Sequence, residues 1–221
     1  LKSYPGQYDA YFNDHLAFKN PIVAFGKLAD IHVFGEVTSD AVLMGKDGWM
    51  FYKLKGEMED SIADYQGTNH YSVDEMERFG ALLKQAEENL ASRGIKLVFY
   101  MVPNKEQVYS EFMPSSVKVV QEQSKADLLY EYLKENTDCD VYYPLDEFRK
   151  AKDDWCQIYR KYDTHWNDMG AFMASQMVIQ DIDGEPFGPE SYRSYDIENR
   201  GTFSGDLATM LNLQKYYDDD P

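Results

Sequence analysis

A capped amphipathic helix that runs directly into a continuous apolar strand constrains this chain more than any other feature. Ser72 stands three residues before Glu75, the spacing of a capping box, in which each side chain satisfies an orphan amide at a helix start. Val73, Met76, Phe79, Leu83, Ala86 and Leu90 then recur at helical spacing, which predicts a helix over 72–93, and Gly94 supplies a left-handed stop. Directly after it comes Leu97-Val98-Phe99-Tyr100-Met101-Val102, ended by Pro103. A strand apolar on both sides belongs inside a sheet that helices cover on both faces.

The rest of the chain continues that alternation. Residues 124–135 read as a helix with Leu128, Leu129, Tyr132 and Leu133 as its stripe, and Val141-Tyr142-Tyr143 as a short strand. Residues 167–179 read as a helix capped by Asn167, with Met169, Phe172, Met173 and Met177 inward. Helix, strand, helix, strand, helix is the order of an α/β fold with a mainly parallel sheet, and chemistry in such folds gathers where the strands end. Upstream, residues 8–28 have helical spacing with Pro21 expected to break the middle. Residues 41–52 read as a hairpin turning at Asp47-Gly48. We expect one domain over 1–221, with the helix and hairpin of 1–60 packed on its core. The loop-like tail closes on Tyr216-Tyr217-Asp218-Asp219-Asp220-Pro221, so the domain is expected to be incomplete at its C-terminal side.

Composition removes several classes. The chain has 221 residues, 22 Lys and Arg against 39 Asp and Glu, and a net charge of −17. That balance argues against nucleic acid and against anionic lipid, both of which need cationic side chains. The hydrophobic share of 43% suffices for a core, while no apolar run approaches the ~20 residues of a membrane-spanning helix. Cys139 and Cys156 form no Cys-x-x-Cys pair, leaving one disulfide or two free thiols equally open. The start, Leu1-Lys2-Ser3, has no initiating Met and reads as a trimmed or mature form.

Of the four histidines, His165 has the most chemistry around it, in Tyr162-Asp163-Thr164-His165-Trp166-Asn167-Asp168. A carboxylate two residues before a histidine can fix the ring's tautomer and stabilise the imidazolium formed when the ring takes a proton. The bland alternative is a capped turn with a hydrogen-bonded histidine. His15 reads as a helix residue, His32 as half-buried in a strand, and His70 as a loop residue just before the capping box. No His-Glu-x-x-His pattern, tight His/Cys cluster or glycine-rich phosphate loop occurs, so no metal, nucleotide or other cofactor is expected.

Four strings resemble one family. Gly45-Lys46-Asp47-Gly48-Trp49-Met50-Phe51-Tyr52 is similar to the "GKDGWLFY" string of alginate O-acetyltransferase-like proteins, within the SGNH-hydrolase-like group. Val102-Pro103-Asn104-Lys105, with Val108-Tyr109 and Pro114 downstream, resembles its "P-x-K…VY…P" strand end. Asp163-Thr164-His165-Trp166-Asn167-Asp168-Met169-Gly170 resembles "DTHWNDLGA", and a related group is named for Asp-His-His-Trp at this place, where this chain has Thr164 second. Gly205-Asp206-Leu207 with Met210-Leu211 resembles a "GDL…ML" string, and the likeness as a whole covers residues 14–213.

The resemblance implies an SGNH-hydrolase-like (flavodoxin-like) fold, with a mainly parallel sheet and helices on both faces. It implies acyl transfer to a polysaccharide hydroxyl through a Ser-His-Asp triad, with Asp163 orienting His165 as base and acid. In the family the nucleophilic serine follows the Asp-x-His pair in an Asp-Ser-Phe-like string, which this chain lacks after His165. Ser175 falls in a predicted helix and Ser191 and Ser194 in a loop, so Ser204 is the internal candidate; otherwise the nucleophile lies past Pro221. Lys105 is expected either at a cleft or as a solvated surface lysine. Trp49 and Trp166 either stack on sugar faces or pack inside. The implied partners are a polysaccharide acceptor and a membrane-bound O-acyltransferase that supplies the acetyl group, outside the cytoplasm. An acetylesterase of the same fold, and a non-catalytic glycan-binding or scaffold protein of exopolysaccharide or cell-wall modification, stay open.

Overall fold

The computed structural model describes Tyr8, Tyr11 and residues 18–56, 59–185, 188, 190–196, 198, 201 and 203–217. Helix α1 (Lys19–Phe34) leads to a hairpin of β1 (Val42–Met44) and β2 (Met50–Tyr52). Helices α2 (Ser61–Gln66) and α3 (Val73–Ala91) precede β3 (Val98–Tyr100) and a single helical turn, α4 (Lys105–Val108). Then come α5 (Lys125–Asn136), β4 (Asp140–Tyr142), α6 (Leu145–Asp154), α7 (Asp168–Asp183), the short α8 (Glu190–Arg193) and α9 (Asp206–Met210).

Strands β3 and β4 pair in parallel, Val98 opposite Asp140 and Tyr100 opposite Tyr142. Helices cover both faces of the pair. On one side Phe79 of α3 meets Phe99 at 5.5 Å between ring centroids, and Leu83, Leu129, Leu133 and Val141 close a core. On the other, Tyr100 and Tyr142 stack at 4.6 Å, and their hydroxyls donate to Met177 O and Asp181 on α7. The capping box at Ser72 and Glu75 is present, and a second one forms at Ser124 and Asp127. The antiparallel hairpin turns through a 3-10 segment, Lys46–Gly48, with Asp47 and Gly48 at positive φ.

Three readings need correction. The strand expected over 97–102 is shorter, half-buried, and paired on one side only among the described residues, with Val102 exposed. Pro21 does not break a helix but lies in the first turn of α1, where its missing amide costs no helical bond. His32 is not in a strand; it ends α1, exposed, with Nδ1 2.8 Å from Leu28 O. His15 lies outside the described residues. Cys139 and Cys156 are not paired: Cys139 is buried beside β4 and Cys156 half-buried near α6.

A second core joins the hairpin to the last helix. Met50 and Val42 pack with Leu207, Ala208, Leu211 and Leu213, and Ala24 of α1 covers them. Gly205, which opens α9, lies against the backbone of residues 162–163; a Cβ there would fall 2.0 Å from Tyr162 O and 3.0 Å from Asp163 N. Overpacking against backbone costs about 1–3 kcal/mol or more, since no rotamer change relieves it. Gly205→Ala therefore lowers the unfolding midpoint in urea, followed by tryptophan fluorescence, and an unchanged midpoint contradicts this close packing.

Candidate active site

The candidate site sits on a loop held at both ends and from below. Tyr159 and Trp166 face each other in an antiparallel bridge, with Arg160 N donating to His165 O and Asn167 N to Ile158 O. Asn167 also caps α7 through its side-chain oxygen, accepting from Met169 N and Gly170 N. Residues 160–165 thus project as a tight loop ahead of the helix. Met50 N of β2 donates to Lys161 O at 3.1 Å, tying the loop to the hairpin.

Lys105 fixes the loop from beneath. It begins α4 just past β3, as the strand-end reading expects, but is only 3% exposed. Its ammonium donates to Met50 O at 2.7 Å, Lys161 O at 3.0 Å and Asp163 O at 2.9 Å. The rings of Trp49 and Phe51 lie 5.1 and 5.3 Å from Nζ. A buried ammonium needs such partners, because taking it out of water is costly. The same geometry corrects the reading of Trp49 as a sugar platform. That ring is 5% exposed and stacked on Tyr109 and Phe112, so no sugar face can reach it.

Asp163 and His165 come together as expected. Asp163 Oδ1 accepts from His165 N and faces His165 Nδ1, each at 2.8 Å. Its other oxygen accepts Asp206 N at 2.7 Å, so the carboxylate also caps α9. Burial works to raise the Asp163 pKa, but the Asp206 and His165 amides and the imidazole outweigh it and hold the carboxyl below the ordinary carboxylate range. Asp206, which sequence reasoning left out of the site, completes the clasp. Its carboxylate accepts Thr164 N at 2.8 Å and Thr164 Oγ1 at 2.6 Å, and lies 3.7 Å from His165 Nδ1. The "GDL" string that flanks it was the signal available.

A carboxylate can only accept, so Nδ1 carries the proton and Nε2 is the basic nitrogen of the neutral ring. The His165 side chain is 75% exposed and borders an open cleft of about 830 Å³. Trp166, half-buried and stacked on Phe148 at 6.3 Å, lines the same cleft, as do Lys105, Tyr52, His70 and Ser61. His70 and Ser61 were not assigned from sequence; the Ser61 hydroxyl donates to Tyr52 O at 2.7 Å. Ser204 is exposed but neither lines the cleft nor hydrogen-bonds His165 among the described residues. Ser175 and Ser194 donate to backbone carbonyls of their own helices. Ligand atoms of Asp163, His165 and Asp206 fall within 4.8 Å of one another, close enough to hold a metal ion. Three of those four carboxylate oxygens already accept backbone amides, which suits a hydrogen-bonded Asp-His pair better.

Removing the ammonium with Lys105→Met takes a donor from Met50 O, Asp163 O and Lys161 O, of which Lys161 O keeps Met50 N, at about 1–3 kcal/mol for each carbonyl left unpaired. Urea denaturation should show a loss of at least about 2 kcal/mol; a loss under about 1 kcal/mol contradicts the clasp. Asp163→Asn tests the carboxylate. A depressed carboxyl pKa contributes stability that is present above its unfolded value of about 3.9 and lost as pH falls through the folded value. The stability gap between parent and Asp163→Asn should therefore stay level from pH 7 to 5 and shrink below about pH 4. A gap independent of pH down to about 2 contradicts an ionised, hydrogen-bonded Asp163.

The family described as "SGNH hydrolase-like domain, acetyltransferase AlgX" matches residues 42–219. A probable alginate O-acetylase AlgJ of Pseudomonas syringae pv. tomato is 26% identical over 221 residues, covering 95% of this chain and 51% of the relative. Its namesake from Pseudomonas aeruginosa is 26% identical over 189 residues, covering 80% of this chain and 43% of the relative. The chain thus spans about half the length of the relatives it matches. The solved O-acetyltransferase domain of Pseudomonas putida AlgJ superposes with a TM-score of 0.53 at 18% identity, over 81% of this chain and 63% of that one, a likeness of fold.

Proposed function

Since this chain belongs to the family of SGNH hydrolase-like, AlgX-type acetyltransferase domains, with an α/β fold, we propose that it acts in O-acetylation of a polysaccharide. The carrying observation is the Asp163–His165 contact of 2.8 Å beside an open cleft. On this reading His165 Nε2 takes the proton of a serine hydroxyl as that oxygen attacks an acetyl carbonyl. The imidazolium, stabilised by Asp163, returns the proton to the leaving group. A sugar hydroxyl, deprotonated by the same nitrogen, then takes the acetyl group from the serine, and the imidazolium returns that proton to the departing serine oxygen. Serine is a weak nucleophile until a base removes its proton, so the pair has no other chemical purpose in this scheme.

The nucleophile is assigned to Ser204 or to a serine beyond Pro221. The donor is proposed to be acetyl delivered by a membrane-bound O-acyltransferase, outside the cytoplasm. No helix among the described residues is long and apolar enough to cross a membrane. A glycan-binding role without turnover is the second reading, favoured by the side-chain partners of His165, which among the described residues are Asp163, Asp206 and Thr164 and no serine.

Acetyl-ester turnover by the full-length protein decides between them. His165→Ala should lower kcat/KM by about 10²–10⁴-fold, the range of general acid–base catalysis. Equal turnover by parent and variant contradicts catalysis through His165, and glycan binding with no turnover establishes the second reading.

A further inference from the structure

The cleft that His165 borders is lined by more acidic than basic side chains. Glu59, Asp64, Glu75 and Glu106 line it, against Lys105 and Lys125. Lys105, being buried, is not placed to receive an acidic sugar, and Lys125 lies near both Asp64 and Glu75, whose charge it offsets only in part. Lys105 is buried and donates to three backbone carbonyls, and Lys125 lies over the Tyr71 ring at 4.3 Å. The carboxylates are held in place. Glu75 is locked by Ser72, whose hydroxyl and amide hold its pKa below the ordinary value. Asp64 accepts Asn69 Nδ2 at 2.9 Å. Glu106, 6% exposed, also lines the cleft; burial raises its pKa to about 6, which leaves it largely ionised at pH 7.5. Beneath His165 the Asp163 carboxylate adds to the same field, and Asp206 flanks it.

A uronate chain carries one carboxylate per sugar and would bring several into this cleft. Like charges at such range cost about 1 kcal/mol per close pair in a solvent-exposed site. We propose that the acceptor seated beside His165 is a glycan without carboxylates, neutral or amino-substituted, and that the acidic wall excludes polyuronates. The inference rests on the reading of this cleft as the acceptor site. It separates this chain from the alginate named in its relatives, because alginate is a polyuronate. The cleft's aromatic surfaces, Trp166, Tyr52 and Tyr71, suit either kind of sugar, so charge is what discriminates.

Calorimetric titration of the full-length protein at pH 7.5 tests this, using β-1,4-linked hexamers of glucosamine, glucose and mannuronate. The glucosamine and glucose hexamers should bind, with mannuronate at least about tenfold weaker, and the gap should narrow at high salt. Combining Glu59→Gln with Asp64→Asn, both of which line the cleft, should close most of that gap. Mannuronate binding as tight as glucose overturns the proposal, as does a gap that the double variant leaves unchanged, or no binding of any hexamer. The charge order intact with ester turnover indifferent to His165→Ala overturns the catalytic reading alone. His165-dependent turnover with mannuronate preferred overturns the acceptor class alone.

Discussion

The buried ammonium of Lys105 is the interaction on which the site depends. It is the point where the hairpin, the 160–165 loop and the end of β3 meet, through Met50 O, Lys161 O and Asp163 O. An ammonium has three donors, and these three carbonyls accept from it. The consequence is positional. Asp163 has its main chain anchored from below, and its carboxylate is free to serve three N–H groups: two amides and the imidazole. A residue that reads as a cleft lysine is thereby a positioning residue for the Asp-His pair.

Rigidity of this kind matters for general base chemistry. An imidazole on an exposed loop samples many orientations, and each lost rotamer costs free energy at the moment of reaction. Here one carboxylate holds both the backbone and the ring of His165, and a second carboxylate, Asp206, holds Thr164 between them. The ring stays open to the cleft while its Nδ1 side is bound. The arrangement therefore combines an exposed imidazole nitrogen with a buried orienting group, which is what a proton-transfer site requires. The acidic lining of the cleft adds a filter on what approaches that nitrogen.

Much of this was legible in the sequence, and the missing parts have physical reasons. Local signals read well: the Ser72–Glu75 capping box, the Asn167 cap, the Asp47-Gly48 turn and the Asp163–His165 spacing all rest on contacts within a few residues. The parallel pairing of β3 with β4 followed from alternation of elements. Long-range partners did not read. Asp206 reaches Asp163 across 43 positions, and the burial of Lys105 and Trp49 depends on carbonyls and rings brought in by tertiary packing. The short helices α2 and α9 were missed because each has too few turns to show a helical period. The run 97–102 misled for a related reason: apolar character reports burial somewhere, not the number of neighbouring strands.

The most direct test is the protonation state of the His165 ring, read from imidazole ¹⁵N chemical shifts at a pH where the ring is neutral. The structure requires the proton on Nδ1, hydrogen-bonded to Asp163, with Nε2 unprotonated. A neutral ring carrying its proton on Nε2, or a tautomer equilibrium unaffected by Asp163→Asn, would contradict the account.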